Sequence, residues 1–221
     1  MTTPNYKSIA SNLDFEGRAF IDGKYVDAID GQKFENINPA TGKTLCSVAK
    51  CNYKDVDLAV KASRKAFESG IWSRTSPEFR KDILLKFAEL LRQHGEDNSV
   101  LECVDTGKLI GDCIDEVAND APMHFQWYGE LIDKVFGKVG PTDPSITSLI
   151  VKEPIGVVAG VVPWNFPLMM AVWKAAPALA AGCSVIIKPA EDTPLTAIRV
   201  AQIAKEAGMP DGVFNVVPGF G

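Results

Sequence analysis

Three short clusters hold the residues best placed to meet a ligand: VVPWNFP (161–167), IIKPAEDTP (186–194) and VVPGFG (216–221). Each opens on β-branched residues and closes in a loop bearing Pro or Gly. Each therefore reads as a strand delivering polar or small residues to its own C-terminal end, where open α/β sheets place ligands. Taken singly, every cluster has an ordinary reading. A lysine such as Lys188 just after a strand is usually solvated, PWNFP is a rigid turn whose Asn165 caps the next helix, and GFG is a common loop. Nucleophile–base and metal chemistry find little support. The five cysteines (Cys46, Cys51, Cys103, Cys113, Cys183) are odd in number and lack CxxC spacing. Neither a disulfide framework nor a zinc site is expected, and the cysteines read as structural. With only His94 and His124 present, a Ser-His or His-metal scheme has few partners, and no metal is expected.

The elements that must position these clusters follow from periodicity. GVVAGVVP has no polar alternation and reads as a strand buried on both faces. A helix near 168–181, a strand at 184–189, a helix near 195–207 and a strand at 213–217 follow it. Strand and helix alternating over short connections make a parallel sheet with crossover helices. Upstream, residues 19–49 read as short strands and turns, with a Gly-Lys turn inside AFIDGKYV. From Asn52 the spacing turns helical: Asn52 with Asp55 marks a start, Val56, Ala59, Val60, Ala66 and Phe67 recur at helix intervals, and Gly70 ends it. A second helix starts near Ser76 with Pro77 in first position and runs toward Gly95. Further helices are expected over 96–106 and about 111–136, the latter interrupted in principle by Pro122. GPTDPS is a turn, and ITSLIVKEP after it is another strand.

The whole-chain balance narrows the function. Of 221 residues, 46% are hydrophobic and 23% charged, ordinary for a globular chain able to bury a core. A net charge of −5 gives no basic surface for a phosphate backbone or an anionic membrane, so neither nucleic acid nor membrane is an expected partner. No apolar run approaches the roughly 20 residues of a membrane span. MTTPNYKSIASNLDF lacks a basic segment leading an apolar one, so no secretory signal is read and a cytoplasmic setting is expected.

Taken together, PWNFPLMMAVWKAAPALAAGCSVIIKPAEDTPLTA and AGMPDGVFNVVPGFG resemble the NAD(P)-dependent aldehyde dehydrogenase superfamily. FIDGKYVDA, NPATGK, FRKDILLKFAELL and ECVDTGK fit the same likeness in order, so that it covers essentially the whole chain. The resemblance implies an α/β fold with a Rossmann-like parallel sheet and flanking helices, an incomplete nucleotide-binding domain of that family. It divides the chain into an N-terminal hairpin and helical part (1–136), the start of a subunit-bridging β segment (137–158) and a βαβαβ cofactor unit (159–221). By likeness, Asn165 is the oxyanion-hole asparagine that donates to the aldehyde oxygen as charge builds there. Lys188 and Glu191 match the pair that holds the adenosine ribose, and a carboxylate at Glu191 would repel a 2′-phosphate, tilting the cofactor to NAD over NADP. Val162 and Trp164 resemble cleft-lining positions, although either also fits a core. Gly219 and Gly221 resemble the opening of the loop where backbone approaches the dinucleotide.

In the family a cysteine thiolate attacks the aldehyde to form a thiohemiacetal, and a glutamate activates water afterwards. No position of this sequence matches either motif, so the 221 residues alone are expected to be inactive. Loss of covering strands would expose sheet edge and apolar faces, and self-association is expected. Two other readings differ in kind. A noncatalytic NAD-binding or subunit-interaction module would use the same cleft without turnover. An unrelated Rossmann oxidoreductase would carry GxGxxG after the first parallel strand, and that fingerprint is missing. Aromatic, aliphatic and amino-aldehydes are all open as substrates.

Overall fold

The computed structural model describes residues 4–221. A short helix α1 (Tyr6–Asn12) precedes the hairpin β1 (Ala19–Ile21) and β2 (Lys24–Val26), and a second hairpin, β3 (Lys33–Ile37) and β4 (Thr44–Ala49), follows. Helices α2 (Tyr53–Ser69), α3 (Pro77–Gln93) and α4 (Gly95–Thr106) come next. Asn52 starts α2 as expected: its side chain accepts from the Lys54 N–H at 2.8 Å while Asp55 accepts from the Asn52 N–H at 2.8 Å. Gly70 ends the helix at φ 81°, a left-handed conformation that suits glycine. Ser76 Oγ caps α3 by accepting from the Phe79 N–H at 3.2 Å, with Pro77 at the first position.

The helix expected over 111–136 forms as one continuous helical path from Ile110 to Lys134, but its hydrogen-bond step changes along the way. A single turn α5 (Ile110–Cys113) leads into a π turn (Ile114–Asp120), then α6 (Ala121–Leu131) and a 3₁₀ turn (Ile132–Lys134). Pro122 lies inside this continuous helix, where it can donate no N–H to the preceding turn, and it stands just where the widened π step (Ala121 N–H to the Glu116 carbonyl) gives way to the regular helix. The expected strand in ITSLIVKEP is short: only β6 (Ser148–Ile150) forms, paired antiparallel with β5 (Lys138–Gly140).

The remaining elements alternate as read: β7 (Val157–Val161), α7 (Pro167–Ala180), β8 (Ser184–Lys188), α8 (Leu195–Glu206) and β9 (Phe214–Val216). They build an α/β fold around a five-stranded sheet ordered β2-β1-β9-β8-β7. Strands β7, β8 and β9 are parallel, and the first hairpin joins β9 antiparallel through Phe20 opposite Val216, so the sheet is mixed. Both faces of β8 are buried, but β7 is not the doubly buried strand its composition suggests. It lies at the sheet edge with Val161 exposed, because apolar texture records hydrophobicity and not which neighbours arrive. One core packs beneath the sheet from Trp72, Leu84, Phe87, Phe125, Leu168 and Leu179, with Phe87 and Phe125 rings 4.4 Å apart. Full burial of such side chains contributes about 1.5–3 kcal/mol each. The Trp72 indole N–H donates to the Leu179 carbonyl at 3.0 Å and so enters the core without an orphaned polar group. Among the described residues, no helix is long and apolar enough to cross a membrane.

Candidate functional site

Parallel register brings the three clusters to one edge. Val161 stands opposite Lys188, the Val162 N–H extends the ladder to the Lys188 carbonyl at 3.1 Å, and the Val217 N–H reaches Ile187 at 2.9 Å. Past these last rungs the chain turns out into a cleft of about 530 Å³, lined by Trp164, Glu191, Thr193, Asp105, Phe34 and Phe220 among others. Trp164 is 61% exposed, while Val162 is buried in the core, which separates two positions the sequence leaves alike. Asn165 is exposed, and α7 begins at Phe166 with no side-chain cap, so Asn165 is not spent on capping that helix.

Lys188 Nζ lies 3.5 Å from Glu191 Oε2 and donates to the Pro189 carbonyl at 3.0 Å. Both side chains keep access to water, 24% and 40% exposed, so their mutual attraction is weak and either can turn to a ligand. A donor and an acceptor side by side suit a vicinal diol. The Thr193 hydroxyl donates to the Trp164 carbonyl at 3.2 Å and ties the second cluster to the first. Gly219 closes the third cluster at φ 153°. A Cβ there would fall 2.6 Å from the Cys51 carbonyl oxygen, so only glycine fits. Gly221 faces open space, while the Phe220 ring packs 5.1 Å from that of Phe34.

Beneath the cleft lie two carboxyls that sequence reasoning passed over. Glu102 and Asp105, three residues apart on one face of α4, are both buried. Glu102 accepts from the Thr196 hydroxyl at 2.9 Å, and Asp105 accepts from the Leu195 N–H at 3.0 Å and from the Asn36 amide at 2.8 Å. Asn36 also donates to the Asp192 carbonyl at 3.2 Å, anchoring the loop that carries Glu191. Burial pushes each carboxyl up to about 7, against hydrogen bonds that pull the other way. Two acids three residues apart on a helix also suit a solvated face, so nothing in ECVDTGK marks this pair as buried; its partners Asn36, Leu195 and Thr196 lie far off in the chain.

No cysteine lines this cleft. Burial raises the Cys46 thiol to about 11 and those of Cys51 and Cys113 to about 12, and Cys103 is also raised by burial. Such thiols stay protonated at neutral pH and make poor nucleophiles.

Comparison with known proteins agrees over nearly the whole chain. The aldehyde dehydrogenase family model matches residues 25–221. Aminoacetaldehyde dehydrogenase of Pseudomonas aeruginosa is 48% identical over 221 residues, all of this chain and 45% of that protein. The NADP/NAD-dependent aldehyde dehydrogenase PuuC of Escherichia coli is 48% identical over 96% of this chain and 43% of its own length. Among solved structures, an indole-3-acetaldehyde dehydrogenase complexed with NAD+ superposes with a TM-score of 0.96 at 48% identity, covering 98% of this chain and 44% of that one. The chain thus spans less than half the length of these relatives.

Proposed function

The chain belongs to the aldehyde dehydrogenase family, and from that premise we propose that it forms the cofactor-binding part of an enzyme that oxidises an aldehyde to a carboxylic acid with NAD. The observation that carries the proposal is the convergence of the Trp164–Asn165 turn and the Lys188–Glu191 loop at one sheet edge, joined by the Thr193–Trp164 hydrogen bond. Lys188 donates to and Glu191 accepts from the adenosine ribose hydroxyls. Trp164 walls the cleft, Val162 supports it from the core, and the backbone at Gly219 and Gly221 lets the dinucleotide approach. When bound, NAD supplies the hydride acceptor. Asn165 donates its amide N–H to the aldehyde oxygen as negative charge gathers there, in a setting where one preoriented donor is worth about 3–4 kcal/mol of barrier. The Glu191 carboxylate favours NAD over NADP by repelling a 2′-phosphate.

By themselves the 221 residues are proposed to be inactive, since every cysteine with a resolved shift is held as a thiol by burial. The division into 1–136, 137–158 and 159–221 carries over, with the β5–β6 hairpin as the start of a subunit-bridging segment. Val139, Leu149, Val151 and Ile155 on and after that hairpin are each more than 60% exposed, a patch that favours self-association in the cytoplasm. A monodisperse monomer in analytical ultracentrifugation would count against that role.

The test pairs two measurements on the purified chain. Aldehyde-dependent NADH absorbance should stay flat, and calorimetric titration with NAD should show binding that Lys188→Ala with Glu191→Ala removes. Sustained turnover would overturn the inactivity; absence of NAD binding would overturn the cleft assignment. In the whole protein, Asn165→Ala should lower kcat on the order of 10²–10³-fold.

A further inference from the structure

The turn bearing Asn165 has no side-chain support on its helical side. Phe166, the residue at the N-terminal boundary of α7, has a non-helical backbone (φ −138°, ψ 65°), and no side chain caps the helix there. Pro163 and Pro167 fix their own φ angles, and Pro167 also bars Phe166 from the helical region, but neither fixes the Phe166 side chain or Asn165. The Phe166 carbonyl accepts from the Met170 N–H at 2.9 Å, but what holds its ring comes from elsewhere in the chain. The Lys108 ammonium sits 3.9 Å from the centroid of the Phe166 ring, and its Nζ pairs with the Glu116 carboxylate on the far side. The side chains of Lys108 and Glu116 are only 20% and 18% exposed, so their pairing is partly shielded from water, while the Phe166 ring keeps 40% exposure and its contact with the cation is of the weaker, half-solvated kind.

Lys108 is itself placed with care. Gly107 ends α4 at φ 76°, and a Cβ there would lie 2.9 Å from Pro39 Cγ. The Lys108 N–H then donates to Thr106 Oγ1 at 3.2 Å, and its carbonyl accepts from the Cys103 thiol at 3.1 Å. Glu116 belongs to the π turn, the widened stretch that replaces the regular helix expected there.

We propose that Lys108, clamped between the Phe166 ring and Glu116, is a positioning residue for Asn165. It fixes the turn in which Asn165 meets the aldehyde oxygen and touches neither substrate nor cofactor. The inference rests on the reading of Asn165 as the oxyanion donor.

Two readouts test it. Lys108→Met keeps the aliphatic stem and removes the charge; Lys108→Arg keeps a cation able to stack on the ring and pair with Glu116. In the ¹⁵N-labelled chain, relaxation should show the Phe166 backbone order parameter falling from about 0.85 to below about 0.6 in Lys108→Met, and recovering in Lys108→Arg. In the whole protein, kcat should fall on the order of tenfold or more in Lys108→Met with KM for NAD unchanged, and return in Lys108→Arg. A misplaced donor weakens the transition state and leaves the ribose contacts of Lys188 and Glu191 intact. If Lys108→Met does not fold, Glu116→Gln carries the same two measurements, with smaller changes in the same direction. An unchanged order parameter overturns the clamp. A rigid-to-loose change with unaltered kcat overturns its link to Asn165. A wild-type whole protein that oxidises no aldehyde defeats the functional reading instead, and the relaxation result still judges the clamp.

Discussion

Helices α2 and α3 secure their own beginnings, whereas α7 and α8 do not. Asn52 and Asp55 close the first turn of α2 from within the same segment, and Ser76 does so for α3. Helices α7 and α8 start with no side-chain cap at all, and both open directly from loops of the cleft. For α8 the deficit is met in part at a distance, since Asp105 accepts from the Leu195 N–H, while Glu102 beside it takes the Thr196 hydroxyl. The contrast teaches a division of labour. The starts of α2 and α3, remote from the site, each spend a local polar residue on their own first-turn amides. The start of α8, beside the site, is met by Asp105 from α4, which leaves Lys188 and Glu191 in the preceding loop free for a ligand.

The sharpest way to break this contrast is Asp105→Ala. It strands the Leu195 N–H and the Asn36 amide inside the protein, and each buried donor left unpaired costs about 1–3 kcal/mol. Urea unfolding should show a loss of about 2–5 kcal/mol, well above any local cap. A smaller effect separates the two regions by pH. Glu102 is held near 7 by burial, above its ordinary 4.5, so the fold binds its proton more tightly than the unfolded chain does. Its contribution is complete below about pH 4.5 and is lost as pH rises toward 7. Glu102→Gln should therefore flatten the decline in unfolding free energy across that window, by on the order of 1–3 kcal/mol between its ends. If the wild-type chain shows no such slope, the carboxyl is not held neutral. The smallest change belongs to the self-sufficient helices: Asn52→Ala should cost about 1 kcal/mol in the same urea assay. A loss from Asn52→Ala equal to that from Asp105→Ala would erase the distinction.

The same contrast separates what the sequence shows from what it hides. Asn52 with Asp55, Ser76 with Pro77, and Gly70 each obey a rule confined to a few neighbouring residues, so the bounds of α2 and the start of α3 were legible. The alternation from β7 to β9, and the cluster of Trp164, Lys188, Glu191 and Gly219 at one edge, were legible because a parallel sheet aligns strand ends whatever the details. The support was not. Thr196 and Glu102 are 94 residues apart in the chain, Leu195 and Asp105 are 90 apart, and no local window records such a pairing. The π turn escaped for a related reason: the apolar spacing of 111–136 satisfies a helix of either hydrogen-bond step, so the widened stretch leaves no mark in it. The exposure of β7 escaped as well, because Val157, Val158 and Val161 look alike whether or not another strand covers them.

The four tryptophans divide unevenly between interior and surface, and this makes the molecule its own optical instrument. Trp72 is sealed in the core with its indole N–H bonded to Leu179, whereas Trp127, Trp164 and Trp173 are each more than half exposed. Emission from Trp72 belongs at the blue end of the spectrum and beyond the reach of iodide, so it reports whether the core is closed. Light from the other three is red-shifted and quenchable. Of these three only Trp164 lies on the cleft, so a ligand that enters shields that indole alone and leaves the blue component as an internal reference.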